Sequence, residues 1–269
     1  MKLRSFIAVL TFVLSGLPAV ADETVRSIYQ TSYMGLPVSR AFIVLHLNEG
    51  GYEFTGKGRA SALASLFKPM DAELKAKGRF VGNAVKPESF DADIKGKKDG
   101  YLIALEMQNG KVLKETSLPK RENLPPDFVP VTENMKQGVI DPLAAFLIPV
   151  KTGSLEEVCK RTLPVYTGRE RFDLVLTPDR KEAVTVPGLF QGEALVCKGR
   201  YQPLGGHRAE KPEVKYMIEN TDMEAAFVPL PGGKVMGLYR VSIGTKLGPV
   251  TVELEKAVVE PPKLPEKKS

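Results

Sequence analysis

Polar and apolar residues alternate along most of this chain. From Asp71 to Val81, the residues Asp71, Glu73, Lys75, Lys77 and Arg79 fall on one side of an extended strand. Ala72, Leu74, Ala76, Gly78 and Phe80 fall on the other. That is the pattern of an antiparallel strand with one face buried. The segment before it repeats the design, with Glu53, Thr55, Lys57 and Arg59 outward and Tyr52, Phe54, Gly56, Gly58 and Ala60 inward. Small residues on an inner face admit close approach of another element or a sharp curl. Between the two strands, residues 61–67 (Ser-Ala-Leu-Ala-Ser-Leu-Phe) form a helix-friendly run stopped before Pro69.

Further strands follow the same rule at Phe90-Ala92-Ile94, Tyr101 to Met107, Phe172-Leu174-Leu176, Leu195-Cys197-Tyr201, Val235 to Ile243 and Val250-Val252-Leu254. Asn48-Glu49-Gly50-Gly51 and Asn109-Gly110 are turn signals, the second a strong two-residue hairpin signal. Helix is scarce. Asp141-Pro142 reads as an N-cap and first-turn proline for Leu143 to Ile148, ended by Pro149. Ser154-Leu155-Glu156-Glu157 reads as a capping box opening a short turn that carries Cys159. The Pro-rich stretch 122–130 is extended, either a linker or, since neither half has a complete core pattern, a strap across one sheet. The sum is a mostly β fold: a strongly curved antiparallel sheet, or a barrel-like one, of about a dozen strands with one or two short helices.

The two ends change the picture. Lys2 and Arg4 precede an apolar run from Phe6 to Leu17, and Ala19-Val20-Ala21 supplies a small-x-small cleavage pattern. Residues 1–21 therefore read as a signal peptide, and the expected location is the periplasm. No later stretch approaches the length of a membrane span, so no transmembrane segment is expected in the mature chain. The mature part is expected to be one β-rich domain over residues 22–259, followed by a disordered Pro/Lys tail over residues 260–269. Without Lys2 and Arg4 the formal net charge falls from +6 to +4. That mild excess, with no Trp and no nucleic-acid-binding motif, argues against a nucleic-acid partner.

Candidate chemistry is thin. Two cysteines, Cys159 and Cys197, in an exported chain predict a disulfide, and closing such a loop is worth roughly 4 kcal/mol. A cysteine nucleophile would need a base, and a zinc site more soft ligands than the chain supplies. No cofactor, metal site or catalytic constellation is expected: the G-x-S-x-G, H-E-x-x-H, P-loop and G-x-G-x-x-G patterns are all missing. His46, in a strand apolar on both faces, is expected to be partly buried and structural. His207, in the loop Gly205-Gly206-His207-Arg208, is the better functional candidate. Arg169-Glu170-Arg171, at the start of a strand, reads as a solvated edge.

The run 159–174, Cys-Lys-Arg-Thr-Leu-Pro-Val-Tyr-Thr-Gly-Arg-Glu-Arg-Phe-Asp-Leu, resembles the signature of a periplasmic family of Gram-negative bacteria known as a domain of unknown function. Gly35-Leu36-Pro37-Val38, Asp141-Pro142-Leu143 and the run 197–204 agree with it, although Thr167 stands where an Asp is expected. The resemblance implies a curved antiparallel sheet around a short helix, similar in general shape to the carriers that take lipoproteins to the outer membrane. It carries no catalytic residues over.

A bent sheet with a helix at its mouth makes an apolar cleft. Leu63, Leu66, Phe67 and Phe146 are the residues expected to line it, or else to pack into it. The expectation is a non-catalytic protein that maintains the cell envelope by binding a lipid or other apolar ligand. The alternatives are an envelope scaffold or adaptor binding protein partners, and a hydrolase without a recognisable motif.

Overall fold

A computed structural model describes residues 22–48, 50–60, 70–96 and 100–260 of the chain. The first half is a meander of β1 (Glu23–Tyr33), β2 (Leu36–Leu47), β3 (Gly51–Ala60), β4 (Met70–Val81), β5 (Ala84–Gly96), β6 (Tyr101–Gln108) and β7 (Lys111–Leu118). A long connection containing β8 (Phe128–Val129) and β9 (Leu147–Pro149) leads to α1 (Leu155–Cys159). There follow β10 (Arg161–Tyr166), β11 (Arg171–Val186), β12 (Phe190–Gly205) and β13 (His207–Arg208). The chain ends in α2 (Pro212–Glu219), β14 (Met223–Pro229), β15 (Val235–Ile243) and β16 (Val250–Glu260).

One antiparallel sheet takes in fourteen of these strands. Its order is β10-β11-β12-β14-β15-β16-β1-β2-β3-β4-β5-β6-β7, with β9 added on β15. The last strand returns to the first, Thr24 registering with Glu260, and residues 261–269 of the expected tail lie outside the described residues. Register shifts at Ile28/Tyr29, Lys77/Gly78, Glu106/Met107 and Pro178/Arg180 bend the strands. At the second of these, a Cβ on Gly78 would meet the Tyr52 hydroxyl at 2.6 Å and the Lys86 carbonyl at 2.7 Å, so only glycine lets the phenol lie across the strand. The Asn109-Gly110 hairpin forms as its residues dictate, with φ of +52° and +80°.

Burial follows the alternation. Along β4 the charged positions are exposed while Ala76 and Gly78 are buried, and β5 buries Phe90, Ala92 and Ile94. The main core gathers inward residues from both halves of the sheet around a segment that runs through the middle, where Val139, Leu143, Ala144 and Leu147 are buried. A second cluster surrounds the Cys159–Cys197 disulfide, whose Cα atoms lie 5.2 Å apart, and packs Val158, Leu163, Leu195 and Phe227 against it.

The expected helix at 143–148 is corrected. Only Ala144–Phe146 turns, as one 3-10 turn, and Leu147–Pro149 leaves as a strand registering with Val235 to Gly237. Leu147 and Ile148 are buried, so pairing with β15 inside the core overrides the local helix pattern. Asp141 still acts as the cap: its Oδ1 accepts from the backbone N–H of Leu143 at 2.8 Å and of Ala144 at 3.0 Å. The second true helix, α2, opens on a proline and was not among the expected elements. Ser154 caps α1 through the Glu157 N–H at 3.2 Å, but Glu157 does not complete a capping box. Its carboxylate turns back and accepts from the backbone N–H groups of Lys151, Thr152 and Gly153, which hold it down at a pKa of about 2.

The stretch 122–130 is a strap. Phe128–Val129 pairs with His207–Arg208, and Arg208 binds Asp127 at 3.1 Å. Among the described residues, no helix is long and apolar enough to cross a membrane.

Candidate functional site: the laced seam and its clefts

The end strands of the sheet, β7 and β10, share no ladder, so the curled sheet stays open along a seam. The seam is filled in two ways. The segment at Val139–Ile140 slips between the two sides. Val139 N–H donates to the Gly110 carbonyl at 2.9 Å, Ile140 N–H to the Pro164 carbonyl at 2.8 Å, and Tyr166 N–H to the Ile140 carbonyl at 2.8 Å. Side chains then lace the gap. The Tyr166 hydroxyl donates to Glu115 at 2.6 Å, and Lys136 reaches the same carboxylate at 3.1 Å.

The third lace is Arg169. Its Nε donates to Ser117 Oγ at 3.1 Å, and its Nη2 donates to the carbonyls of Leu118 at 3.1 Å and Pro119 at 2.9 Å. The guanidinium also lies 4.8 Å from the Tyr101 ring centre. A tight turn delivers it: Thr167 Oγ1 accepts from the N–H groups of Arg169 and Glu170, and Gly168, at φ +82°, lies flat against Ile103. Arg121 comes up beside it from the strap and donates to the Gly206 carbonyl at 2.6 Å.

These contacts correct the reading of Arg169-Glu170-Arg171 as a solvated edge. Arg171 is buried against Asp173 at 2.6 Å, and Arg169 is half-buried in the seam. Its acceptors come from a strand some fifty residues earlier, which no local pattern discloses. The Thr167-Gly168 turn just ahead of the cluster was the available signal.

The histidines are corrected too. His46 is exposed, because Phe42 to Leu47 alternates rather than burying both faces, and its Nδ1 pairs with Thr24 Oγ1 at 2.8 Å across the strands. His207 sits in a ladder opposite Val129 rather than in a free loop, with its Nδ1 buried and unpartnered. The glycines before it serve close packing: a Cβ on Gly206 would run into the backbone of Arg169 and Glu170. Asp91 is exposed and Asp93 pairs with Lys95, as a solvent face requires. Among the described residues, no group of three His, Cys, Asp or Glu is placed to hold a metal ion.

A cleft of about 450 Å³ opens on the inner side of the seam. Its floor is Leu74, Phe90, Ala92, Ile94, Tyr101 and Ile103, and Pro142 and Leu143 close one wall. The opposite rim is polar: Arg121, Thr167, Arg169 and Glu170. A second cleft of about 390 Å³ lies across the same seam and shares Arg121 and Arg169 with the first. Of the residues expected to line an apolar cleft, Leu63, Leu66 and Phe67 lie outside the described residues. Phe146 packs on Tyr29 with ring centres 6.1 Å apart and borders an internal space of only about 20 Å³, no more than a water fills. The cleft on the inner side of the seam is therefore walled by other residues than Phe146, and its floor comes from the alternating positions of β4 to β6.

No curated protein matches the chain. Among solved structures, the crystal structure of a β-barrel-like protein of the domain of unknown function DUF1849 from Brucella abortus is similar, with a TM-score of 0.44 and 9% identity. That match covers 90% of this chain and 99% of the other. Residues 28–255, nearly the whole curled sheet and every residue of the seam, match one family throughout, and the chain belongs to the family described as Protein of unknown function (DUF3108).

Proposed function

We propose that this protein is a non-catalytic component of the cell envelope that holds the apolar chain of a lipid in the cleft beneath the seam. The observation that carries the reading is the cleft itself: some 450 Å³ floored by six aliphatic and aromatic side chains on rigid paired strands. Export supports the setting, through the amino-terminal Lys2, Arg4, apolar run and Ala19-Val20-Ala21, and so does a buried disulfide, which persists in oxidising compartments.

Calorimetric titration with octanoate, decanoate and dodecanoate tests it on detergent-free protein. Burying one methylene contributes about 0.8 kcal/mol, so each added carbon should tighten binding about fourfold until the cleft is full. Affinity independent of chain length, or no binding at all, would overturn the reading.

A second reading, an adaptor for envelope proteins, draws on one feature. Met34, Leu36 and Leu247 stand exposed on hairpin tips joined by a 2.9 Å bond from Met34 N–H to the Pro249 carbonyl. Crosslinking through a photoreactive residue at Leu247 in the living cell would capture a discrete protein partner under that reading, and none under the first.

A further inference from the structure

The polar rim of the cleft holds a charge that the protein itself does not answer. Arg169 spends its hydrogen bonds on a hydroxyl and two carbonyls, and no carboxylate lies within ion-pair distance of it among the described residues. Arg121, next to it, pairs with Glu170 at 3.7 Å, donates to two backbone carbonyls and lies 5.7 Å from the Phe128 ring centre. Burial first, and then the neighbouring positive charge of Arg121, push the Arg169 guanidinium down from its ordinary value. Two like charges held side by side at the edge of an apolar floor repel each other, and Glu170, which reaches Arg121 alone, answers only one of them.

Their position is as telling as their charge. Arg121 and Arg169 are the residues common to the apolar inner cleft and to the outer cleft, whose walls add Lys120 and Lys136 against Glu115. A molecule lying with its tail on Leu74 and Tyr101, the partly exposed residues of the floor, would bring its other end up between the two guanidiniums. Guanidinium groups favour planar or tetrahedral oxyanions, which accept two parallel N–H bonds.

We infer that the ligand of the cleft is an anionic amphiphile, its carboxylate or phosphate seated between Arg121 and Arg169 and its chain on the floor of β4 to β6. This rests on the proposed cleft reading and deepens it. Selectivity would come from the head group and affinity from the chain.

The experiment compares dodecanoate, dodecyl phosphate, dodecanol and inorganic phosphate on the full-length mature protein, by titration at low and high salt. The two anionic amphiphiles should bind about tenfold or more tightly than dodecanol, the scale of one charge-assisted hydrogen bond, and lose that advantage as salt rises. In Arg121→Gln, dodecanoate should lose more affinity than dodecanol, so that the gap between the two narrows. Arg121 lies at the rim and its removal leaves the Arg169 laces in place. The salt arm needs no variant, so a misfolded substitution does not rescue the idea. Equal binding of dodecanol and dodecanoate would overturn the head-group assignment and leave the cleft reading standing. Inorganic phosphate binding as tightly as dodecyl phosphate would show an anion site with no use for a chain, which also overturns it. If none of the chain-bearing probes binds, the cleft reading itself fails.

Discussion

Asp141 is fully buried, and only one of its two oxygens is used. Oδ1 caps the 3-10 turn, while Oδ2 and the Tyr52 hydroxyl face each other too loosely for a well-formed hydrogen bond and have no other partner. Burial lifts the carboxyl to about 6 in spite of its two N–H donors. The folded protein therefore holds a proton more tightly than the unfolded chain does. The stability from this group is fully present below about pH 4 and is lost as pH rises to about 6, by up to about 3 kcal/mol. Asp141→Asn keeps the capping oxygen and removes the charge. Its melting temperature at pH 7 should exceed that of the wild type, and the wild-type decline between those pH values should flatten. A variant less stable than wild type at pH 7, with the slope retained, would contradict this. At Gly168 the expected change is the reverse. A methyl group there meets Ile103 at a positive φ, so Gly168→Ala should lower stability by about 1–3 kcal/mol in denaturant titration. Unchanged stability would mean that the turn does not sit on β6.

At the scale of elements, what was legible and what was not divide along a physical line. The strands were legible because each needs only its own period-two pattern and a turn at either end, as in Asp71 to Val81 or at Asn109-Gly110. The disulfide was legible because two cysteines allow one pairing, and the amino-terminal pattern led to the expectation of an oxidising compartment. The segment 143–149 misled because its apolar run suits a buried helix and a buried strand equally, and its partner Val235 lies far away in sequence. α2 is a short helix whose residues are none of them buried, so it left little apolar period to read. The disulfide ties α1 to β12 at the second core cluster. Replacing Cys159 and Cys197 together with serine should lower unfolding stability by roughly 4 kcal/mol, with the β-rich circular dichroism spectrum retained. An unchanged denaturation midpoint would show that the bridge contributes nothing.

Over the whole molecule, the sheet is kept curled without closing. Val139 and Ile140 enter between its end strands, and Tyr166, Lys136 and Arg169 cross to Glu115, Ser117, Leu118 and Pro119. That arrangement was not legible. It joins residues near 115 to residues near 166, and in each place the local pattern is a charged, exposed strand edge. The same geometry sets a cationic rim over an apolar floor, and the proposed ligand is therefore assigned to the seam rather than to the neighbourhood of Phe146, where the internal space is only about 20 Å³. Native mass spectrometry of the protein purified from cells without detergent, followed by lipid extraction, tests the central claim most directly. The account predicts a stoichiometric adduct that yields an acyl lipid with an anionic head group and is depleted in Arg121→Gln. A bare protein mass, with no lipid in the extract and none acquired on incubation with dodecanoate, would contradict it.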